Sequence, residues 1–436
     1  MASLVQLTSQ LTKHVTRSRL EEMSNPRIGA NGPTVALLND IFQKGGVERV
    51  LSYMSLVLFK GPGIIFLFDP GRIDFDYRGT LVDLKVKSPP YGGMLEEAYC
   101  LLKGLFKLWR QKRRHGVDVC ISHKEGPNFI NILSAYSKCI VVVHEHKSSG
   151  IKYAGIKHTI VRWLVAILYN KADHVVTVSR TIAQDLESNF GVARNKLRVI
   201  YNPCDTDMIA ERSSEPLEEQ FERLFDARVI VTVGRLDRQK GHWYLLRAFS
   251  EIRKRVGDVR LVILGTGDHT KYLRDLADEL EISAEVHFLG FQSNPFRFLR
   301  RSTLFVLTSL WEGFPAVLLE AMACRLPVIA ADCLSGPREL LAPKLDLKSR
   351  FRETIFADYG ILTPPLDGHY KSSKDQITKA ELSIVEAATR VLGDSEMRRF
   401  YASRGYGRVN DFGMQNFAEE WSRLIDLTAG TVRRRL

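Results

Sequence analysis

Residues 228–241 read Arg228-Val229-Ile230-Val231-Thr232-Val233-Gly234-Arg235-Leu236-Asp237-Arg238-Gln239-Lys240-Gly241. A short β-branched apolar run that stops at a glycine reads as a buried strand delivering a loop. The pattern repeats downstream in VRLVILG (259–265), EVHFLG (285–290), TLFVLTS (303–309) and LPVIAAD (326–332), with helical spacing in between. Upstream it is carried by TVALLN (34–39), GIIFLF (63–68), VDVCIS (117–122), CIVVVH (139–144), HVVTVS (174–179) and LRVIYN (197–202). Strand–helix alternation of this kind implies parallel sheets with crossover helices. Two such runs in succession predict an α/β chain with two Rossmann-like domains.

The expected boundaries are a polar N-terminal lead over 1–33, a first domain over 34–204 and a second over 205–408. A C-terminal helix and basic tail follow over 409–436. The acidic stretch 211–222 suits a linker with an early surface helix. The spacing of Phe417, Trp421, Leu424 and Ile425 predicts a helix over 415–429.

Composition is that of a globular protein: 436 residues, 45% hydrophobic and 26% charged. Charge is distributed unevenly. Residues 1–200 hold 28 Lys+Arg against 16 Asp+Glu, whereas 201–436 hold 34 of each, so the whole formal net charge of +12 sits in the first half. An excess of that kind predicts an anionic partner for the first domain. No nucleic-acid-binding motif accompanies it, which favours a membrane surface. The first ten residues carry no charged side chain and no apolar core of a signal peptide follows them. The most apolar stretch, 159–172, is interrupted by Arg162 and Lys171, so no spanning helix is expected. The six cysteines form no C-x-x-C pair and fit reduced thiols in the cytoplasm.

Three motifs in the second half carry chemistry. Arg235 and Lys240, set off by Gly234 at a strand end, put two cations where a diphosphate leaving group gains charge. Gly265 and Gly267 form a G-x-G at the next strand end, where glycine permits close backbone approach. Glu312-Gly313-Phe314-Pro315-Ala316-Val317-Leu318-Leu319-Glu320 follows a strand and opens a helix. The first-turn amides of that helix can hold phosphate or sugar hydroxyls. Glu312 stands before the helix and Glu320 more than one turn inside it, so they reach different parts of one ligand.

In this order the motifs resemble the donor domain of glycosyltransferase family four. Tyr201-Asn202-Pro203, Gly45-Gly46-Val47-Glu48-Arg49 and Ser335-Gly336-Pro337-Arg338-Glu339 extend the resemblance over most of the chain. It implies a GT-B fold, two Rossmann-like domains facing across a cleft with the C-terminal helix returning to the first, and a retaining hexosyltransferase. By the same resemblance Arg235 and Lys240 contact the donor diphosphate, Glu312 the sugar, Glu320 the ribose, and Gly290 and Phe291 the base. The sequence departs from the family in two places. Ala316 stands where members often carry asparagine, removing a polar side chain near the sugar. Arg325 stands where members carry glycine; in a left-handed conformation it costs about 1 kcal/mol, and otherwise it is a surface cation.

The first half supplies the acceptor-side candidates. Gly45 and Gly46 precede a helix and can face phosphate. His144, Glu145 and His146 follow a strand, and one or two of them are expected to face the sugar or acceptor. Residues adjacent in an extended chain point alternately and do not converge on a metal. His123 and Asn128 are further acceptor-side candidates. The Asp74-x-Asp76 and Asp205-x-Asp207 pairs resemble metal-binding carboxylates of other glycosyltransferases, but two cations already serve the diphosphate, so no metal is expected. LLKGLFKLWRQKRRH (101–115) sets Leu101, Leu102, Leu105, Phe106 and Trp109 against Lys103, Lys107, Arg110, Lys112, Arg113 and Arg114. That is the composition of an interfacial helix on anionic lipid.

The sequence is thus expected to encode an enzyme that takes a nucleotide diphosphate sugar, a UDP-sugar by preference, to a glycan or lipid-linked acceptor. It needs no cofactor, binds no nucleic acid and lies peripherally on the cytoplasmic membrane face. An epimerase or phosphorylase on the same architecture, or a basic membrane-binding module with a degenerate sugar site, are the alternatives.

Overall fold

The computed structural model describes residues 32–43, 45–59, 63–86, 94–145, 156–333, 335–347, 349 and 351–433. The N-terminal lead 1–31, His146 and the end of the basic tail lie outside the described residues. The chain forms two compact units, one made of residues up to Pro203 together with Met414 onward, the other of Cys204–Gly413.

In the first unit the elements follow in the order β1 (Val35–Asn39), α1 (Gly46–Leu58), β2 (Ile64–Leu67), β3 (Thr80–Asp83), α2 (Met94–Arg114), β4 (Val119–His123), α3 (Glu125–Leu133), β5 (Lys138–Val143), α4 (Ile156–Tyr169), β6 (His174–Thr177), α5 (Arg180–Phe190) and β7 (Leu197–Val199). All seven strands are parallel, in the order β3-β2-β1-β4-β5-β6-β7. β1, β2 and β4 are buried along their whole length, because crossover helices cover both faces of a parallel sheet. The chain walks outward from β1 to β3 and then returns to β4 and walks the other way. The switch point therefore lies between β1 and β4, the place where open α/β sheets bind ligands. The C-terminal helix, Met414–Arg433, belongs to this unit and packs on α1 and β4.

The second unit holds α6 (Thr206–Ser213), α7 (Glu219–Glu222), β8 (Arg228–Val233), α8 (His242–Val256), β9 (Val259–Leu264), α9 (Thr270–Glu279), β10 (Val286–Gly290), α10 (Phe296–Arg301), β11 (Leu304–Leu307), α11 (Ala316–Ala323), β12 (Val328–Ala331), α12 (Pro337–Leu341), β13 (Ile355–Phe356), β14 (Ile361–Thr363), α13 (Lys379–Gly393) and α14 (Ser395–Val409). Its sheet runs β10-β9-β8-β11-β12-β14-β13, parallel except for the edge strand β13. The switch point here lies between β8 and β11. Trp243, Tyr244, Phe249, Ile263, Leu304 and Val391 lie in its apolar core. α13 opens with a full capping box, Thr378 with Glu381, and the buried Arg247 holds the same glutamate at 2.6 Å.

Arg325 follows α11 at φ +62°, the left-handed conformation in which the family's glycine is free of strain. Its guanidinium carbon sits 3.9 Å from the centre of the Tyr406 ring, a cation–π contact that offsets the backbone cost. Among the described residues no helix is long and apolar enough to cross a membrane.

Candidate active site

In the second unit the loops after β8 and β11 are knitted together. Asp237 accepts the Lys240 amide and closes a turn over Arg238–Lys240. Leu310 donates its N–H to the Gln239 carbonyl at 2.7 Å, Gln239 Nε2 donates to the Trp311 carbonyl at 2.9 Å, and Thr308 Oγ1 donates to the Lys240 carbonyl at 3.1 Å. These bonds bring Lys240 Nζ to 2.6 Å from Glu312 Oε1. Ser309 Oγ donates to the same oxygen at 2.7 Å, and Ser335 Oγ donates to the Glu312 carbonyl. Glu312 is buried, so its carboxylate is held in one place by an ammonium, a hydroxyl and a tethered backbone. Arg235 is 71% exposed and is steered by Asp237 and Gln239, each at 3.0 Å.

Glu312 thus stands just ahead of α11. Pro315 is the cap residue of that helix and makes no side-chain cap hydrogen bond to its first turn. Gly313 and Phe314 are buried, Phe314 against Phe412, while Glu320 and Val317 are half-buried on the helix. Gly290 has φ +69° and Phe291 after it is exposed. Gly265 and Gly267 have a nearer explanation than a ligand. A side chain at Gly265 would lie 1.8 Å from the Gly234 carbonyl oxygen, and one at Gly267 2.4 Å from that of Leu236. The G-x-G is required by packing against the Arg235 loop. Arg338 is buried on Asp332 and on the backbone carbonyls of Asp346, Leu347 and Ser349, so it organises a loop.

The first unit gathers a second cluster at its switch point. Gly45 caps α1, Gly46 is exposed, and Glu48 folds back beneath them. Lys124 Nζ lies 2.5 Å from Glu48 Oε1, and Asn39 Nδ2 donates to that oxygen at 3.4 Å. Asp40 is raised above the usual carboxylate range, first by burial and then by Glu48, with Lys124 opposing. His144 follows β5 and Glu145 follows it, both half-buried. His123 Nδ1 is 2.9 Å from His144 Nε2.

Two expectations are corrected here. Asn128 does not face an acceptor: it is buried, accepts from Ser122 Oγ at 2.8 Å and donates to the Val142 carbonyl at 3.0 Å, locking α3 onto the sheet. Lys112 is not a surface cation. It is 0% exposed, with its ammonium 2.6 Å from Asn131 Oδ1 and 2.7 Å from Ser134 Oγ. Helical geometry places it one turn from Leu108 on the buried face. His123 is also fully buried, with its Nδ1 2.9 Å from His144 Nε2. On the solvent side of α2, Tyr99, Leu102, Phe106 and Trp109 are exposed, 62% for Phe106 and 37% for Trp109. Arg113 sits 4.9 Å over the Trp109 ring, and Arg114 is exposed beside it.

Sequence reading did not single out Ser309 or Lys124, nor assign a role to Ser335 or Glu48. Ser309 lies one helical turn's separation before Glu312, but nothing in its type distinguishes it from a loop serine. Among the described residues no group of three or more His, Cys, Asp or Glu could share a metal ion. Asp74 pairs with Arg72 at 2.8 Å, and Asp205 caps α6.

Comparison with known proteins gives this geometry a context. Residues 44–208 match the family described as Glycosyltransferase Family 4, and residues 214–346 match Glycosyl transferases group 1. The chain is 31% identical to an uncharacterized glycosyltransferase of Methanocaldococcus jannaschii over 75% of its own length and 84% of that protein. It is 25% identical to the N-acetylgalactosamine-N,N'-diacetylbacillosaminyl-diphospho-undecaprenol 4-alpha-N-acetylgalactosaminyltransferase of Campylobacter jejuni, over 86% and 94% of the two chains. The solved structure of Anabaena HepE in complex with UDP-glucose superposes with a TM-score of 0.68 at 17% identity, covering 90% of this chain and 99% of that one. At that identity the likeness bears on the fold alone.

Proposed function

The chain belongs to glycosyltransferase family four, and on that footing we propose that it is a retaining hexosyltransferase using a nucleotide diphosphate sugar, a UDP-sugar by preference. The acceptor is a glycan or lipid-linked glycan at the cytoplasmic face of a membrane. The observation that carries the proposal is the Lys240–Glu312–Ser309 constellation, with Arg235 beside it, at the C-terminal ends of β8 and β11. Lys240 and Arg235 are cations set to meet a departing diphosphate, and fixed charges stabilise developing charge without reorganising. Glu312, held through Oε1, accepts hydroxyl hydrogen bonds from the donor sugar, and the α11 amides complete the anion cradle. Glu320 takes the ribose, while Gly290 and Phe291 lie toward the base. Two cations already offset the leaving-group charge, so the reaction proceeds without a divalent metal.

On the first unit, Gly45, Gly46 and the residues after β5 are the candidate ligand-binding positions. The acceptor reading draws support from the Campylobacter relative, whose name specifies a diphospho-undecaprenol-linked glycan. It draws further support from α2, where an exposed apolar ridge bordered by Lys103, Arg110, Arg113 and Arg114 suits an anionic lipid surface. The deciding experiment is a donor screen against membrane extract and isolated lipid-linked glycans. Transfer from a UDP-sugar that is lost in Glu312→Ala and Lys240→Ala is the expected result. Absence of transfer from every nucleotide sugar tried removes the proposal.

A further inference from the structure

We infer that Gln239 is a positioning residue: its carboxamide orders Arg235 before a ligand arrives and ties that cation to the loop carrying Glu312. The inference rests on the reading that Arg235 meets the donor diphosphate, and it names the side chain that prepares an exposed arginine for that task.

The carboxamide has a single orientation that satisfies its neighbours. Its Oε1 accepts from Arg235 Nη2 at 3.0 Å, and its Nε2 donates to the Trp311 carbonyl at 2.9 Å. The flipped amide would set N–H groups against the guanidinium and an oxygen against the carbonyl, and neither contact bonds. Gln239 therefore spans two loops, from Arg235 to the residue just before Glu312. Its backbone is fixed while it does so. The Gln239 carbonyl accepts the Leu310 N–H at 2.7 Å, and Asp237 closes the turn Arg238–Lys240 around it.

Joining the loops does not require Oε1. Leu310 N–H and Thr308 Oγ1 already tie the β11 loop to the carbonyls of Gln239 and Lys240, and Nε2 adds the Trp311 bond. Oε1 is spent instead on an arginine that is exposed and that, among the described residues, bonds only to Asp237 and Gln239. Such a side chain adds nothing to the core, so the bond orders a cation and not a fold. Asp237 Oδ2 lies 3.0 Å from the same Nη2 nitrogen, while its Oδ1 accepts the Lys240 N–H at 3.3 Å. Both holders of Arg235 thus belong to the turn that delivers Lys240, which keeps the two cations in register. With Nη2 held by both, Nη1 and Nε are left to meet a diphosphate. An arginine ordered in advance forfeits less side-chain freedom when the ligand binds.

UDP is the probe, because it carries a diphosphate without a sugar and so does not report on Glu312. Calorimetric titration should give Arg235→Ala an affinity about 10–100-fold below wild type, the worth of hydrogen bonds to a charged group. Gln239→Met keeps the stem and loses both polar ends. It should bind UDP about three- to tenfold more weakly, the factor for ordering one long side chain on binding. In the Arg235→Ala background the same change should cost less than about twofold, because no guanidinium remains to be ordered. A merely structural role gives the same factor in both backgrounds. Gln239→Ala repeats the cycle if the methionine variant does not fold. Wild-type affinity in Gln239→Met overturns the inference, and so does an equal factor with and without Arg235. Undiminished affinity in Arg235→Ala, or no UDP binding by the wild-type protein, defeats the donor-site reading and the inference with it. Loss in Arg235→Ala with wild-type behaviour in Gln239→Met defeats only the positioning role.

Discussion

Lys112 offers the sharpest test of the difference between a cationic surface and a cationic anchor. It lies in a run of basic residues, yet its ammonium is buried on Asn131 Oδ1 at 2.6 Å, Ser134 Oγ at 2.7 Å and the Asn131 carbonyl at 3.3 Å. Truncation to alanine deletes three buried methylenes, roughly 0.8 kcal/mol each. It also strands Asn131 Oδ1, at about 1–3 kcal/mol. Ser134 loses less, because its hydroxyl also donates to the Asn131 carbonyl at 2.8 Å. The sum is about 3–5 kcal/mol for Lys112→Ala. Lys112→Met restores the stem and leaves only the stranded acceptor, about 1–3 kcal/mol. Arg114→Ala, at an exposed position, should stay within about 0.5 kcal/mol. At roughly 2–4 °C per kcal/mol, thermal melts should place Lys112→Ala on the order of 10 °C below wild type, with Lys112→Met between. Sedimentation with anionic vesicles should rank the variants the other way: Lys112→Met pellets like wild type, while Arg113→Ala with Arg114→Ala is released. A Lys112→Ala melt indistinguishable from that of Arg114→Ala refutes the buried anchor, and so does a Lys112→Met protein that loses vesicle binding.

Further outcomes follow from the same structure. Ser309→Ala removes one of two hydrogen bonds on Glu312 Oε1 and should lower kcat/KM by about 10–100-fold, given ~1.5–3 kcal/mol for a bond to a charged group; unchanged steady-state kinetics count against Glu312 meeting the sugar. Arg325→Gly should be more stable than Arg325→Ala by about 1 kcal/mol in urea melts, because both lose the Tyr406 contact and only glycine relieves the left-handed backbone. His242 is buried and held down to about 3, by burial first and then by Lys240 and His269. The folded state excludes its proton while the unfolded state takes it below about pH 6.5, so stability falls as pH drops from there toward 3, by up to ~1.4 kcal/mol per unit. His242→Phe should flatten that slope in pH-dependent denaturation. Transfer should survive excess EDTA; loss of activity restored by a divalent ion would overturn metal independence.

The parallel-sheet architecture was legible because buried strands such as VALLN and VIVTV are continuous apolar runs, and glycine turns punctuate them. The placement of the second-half motifs was legible for a related reason: each falls at a strand end, where a local pattern already implies position. Side-chain partnership was not legible. Glu312 and Lys240 are far apart in sequence, and only the hydrogen bonds between the β8 and β11 loops join them. Asn128 and Lys112 misled for the opposite reason, since polar residue types suggest exposure and both are consumed in the interior.

By itself, then, the sequence determined the strand–helix alternation, the concentration of charge in the first half and the chemical types available at each strand end. These depend on local periodicity and composition, which neighbours in the chain impose on one another. Tertiary structure alone decided that Ser309 holds Glu312, that His123 lies against His144, and that of three consecutive cations on α2 the first is buried while the next two are exposed. Those outcomes hang on which face of a helix meets the sheet and on which loops end side by side, and such facts exist only once distant segments are packed together.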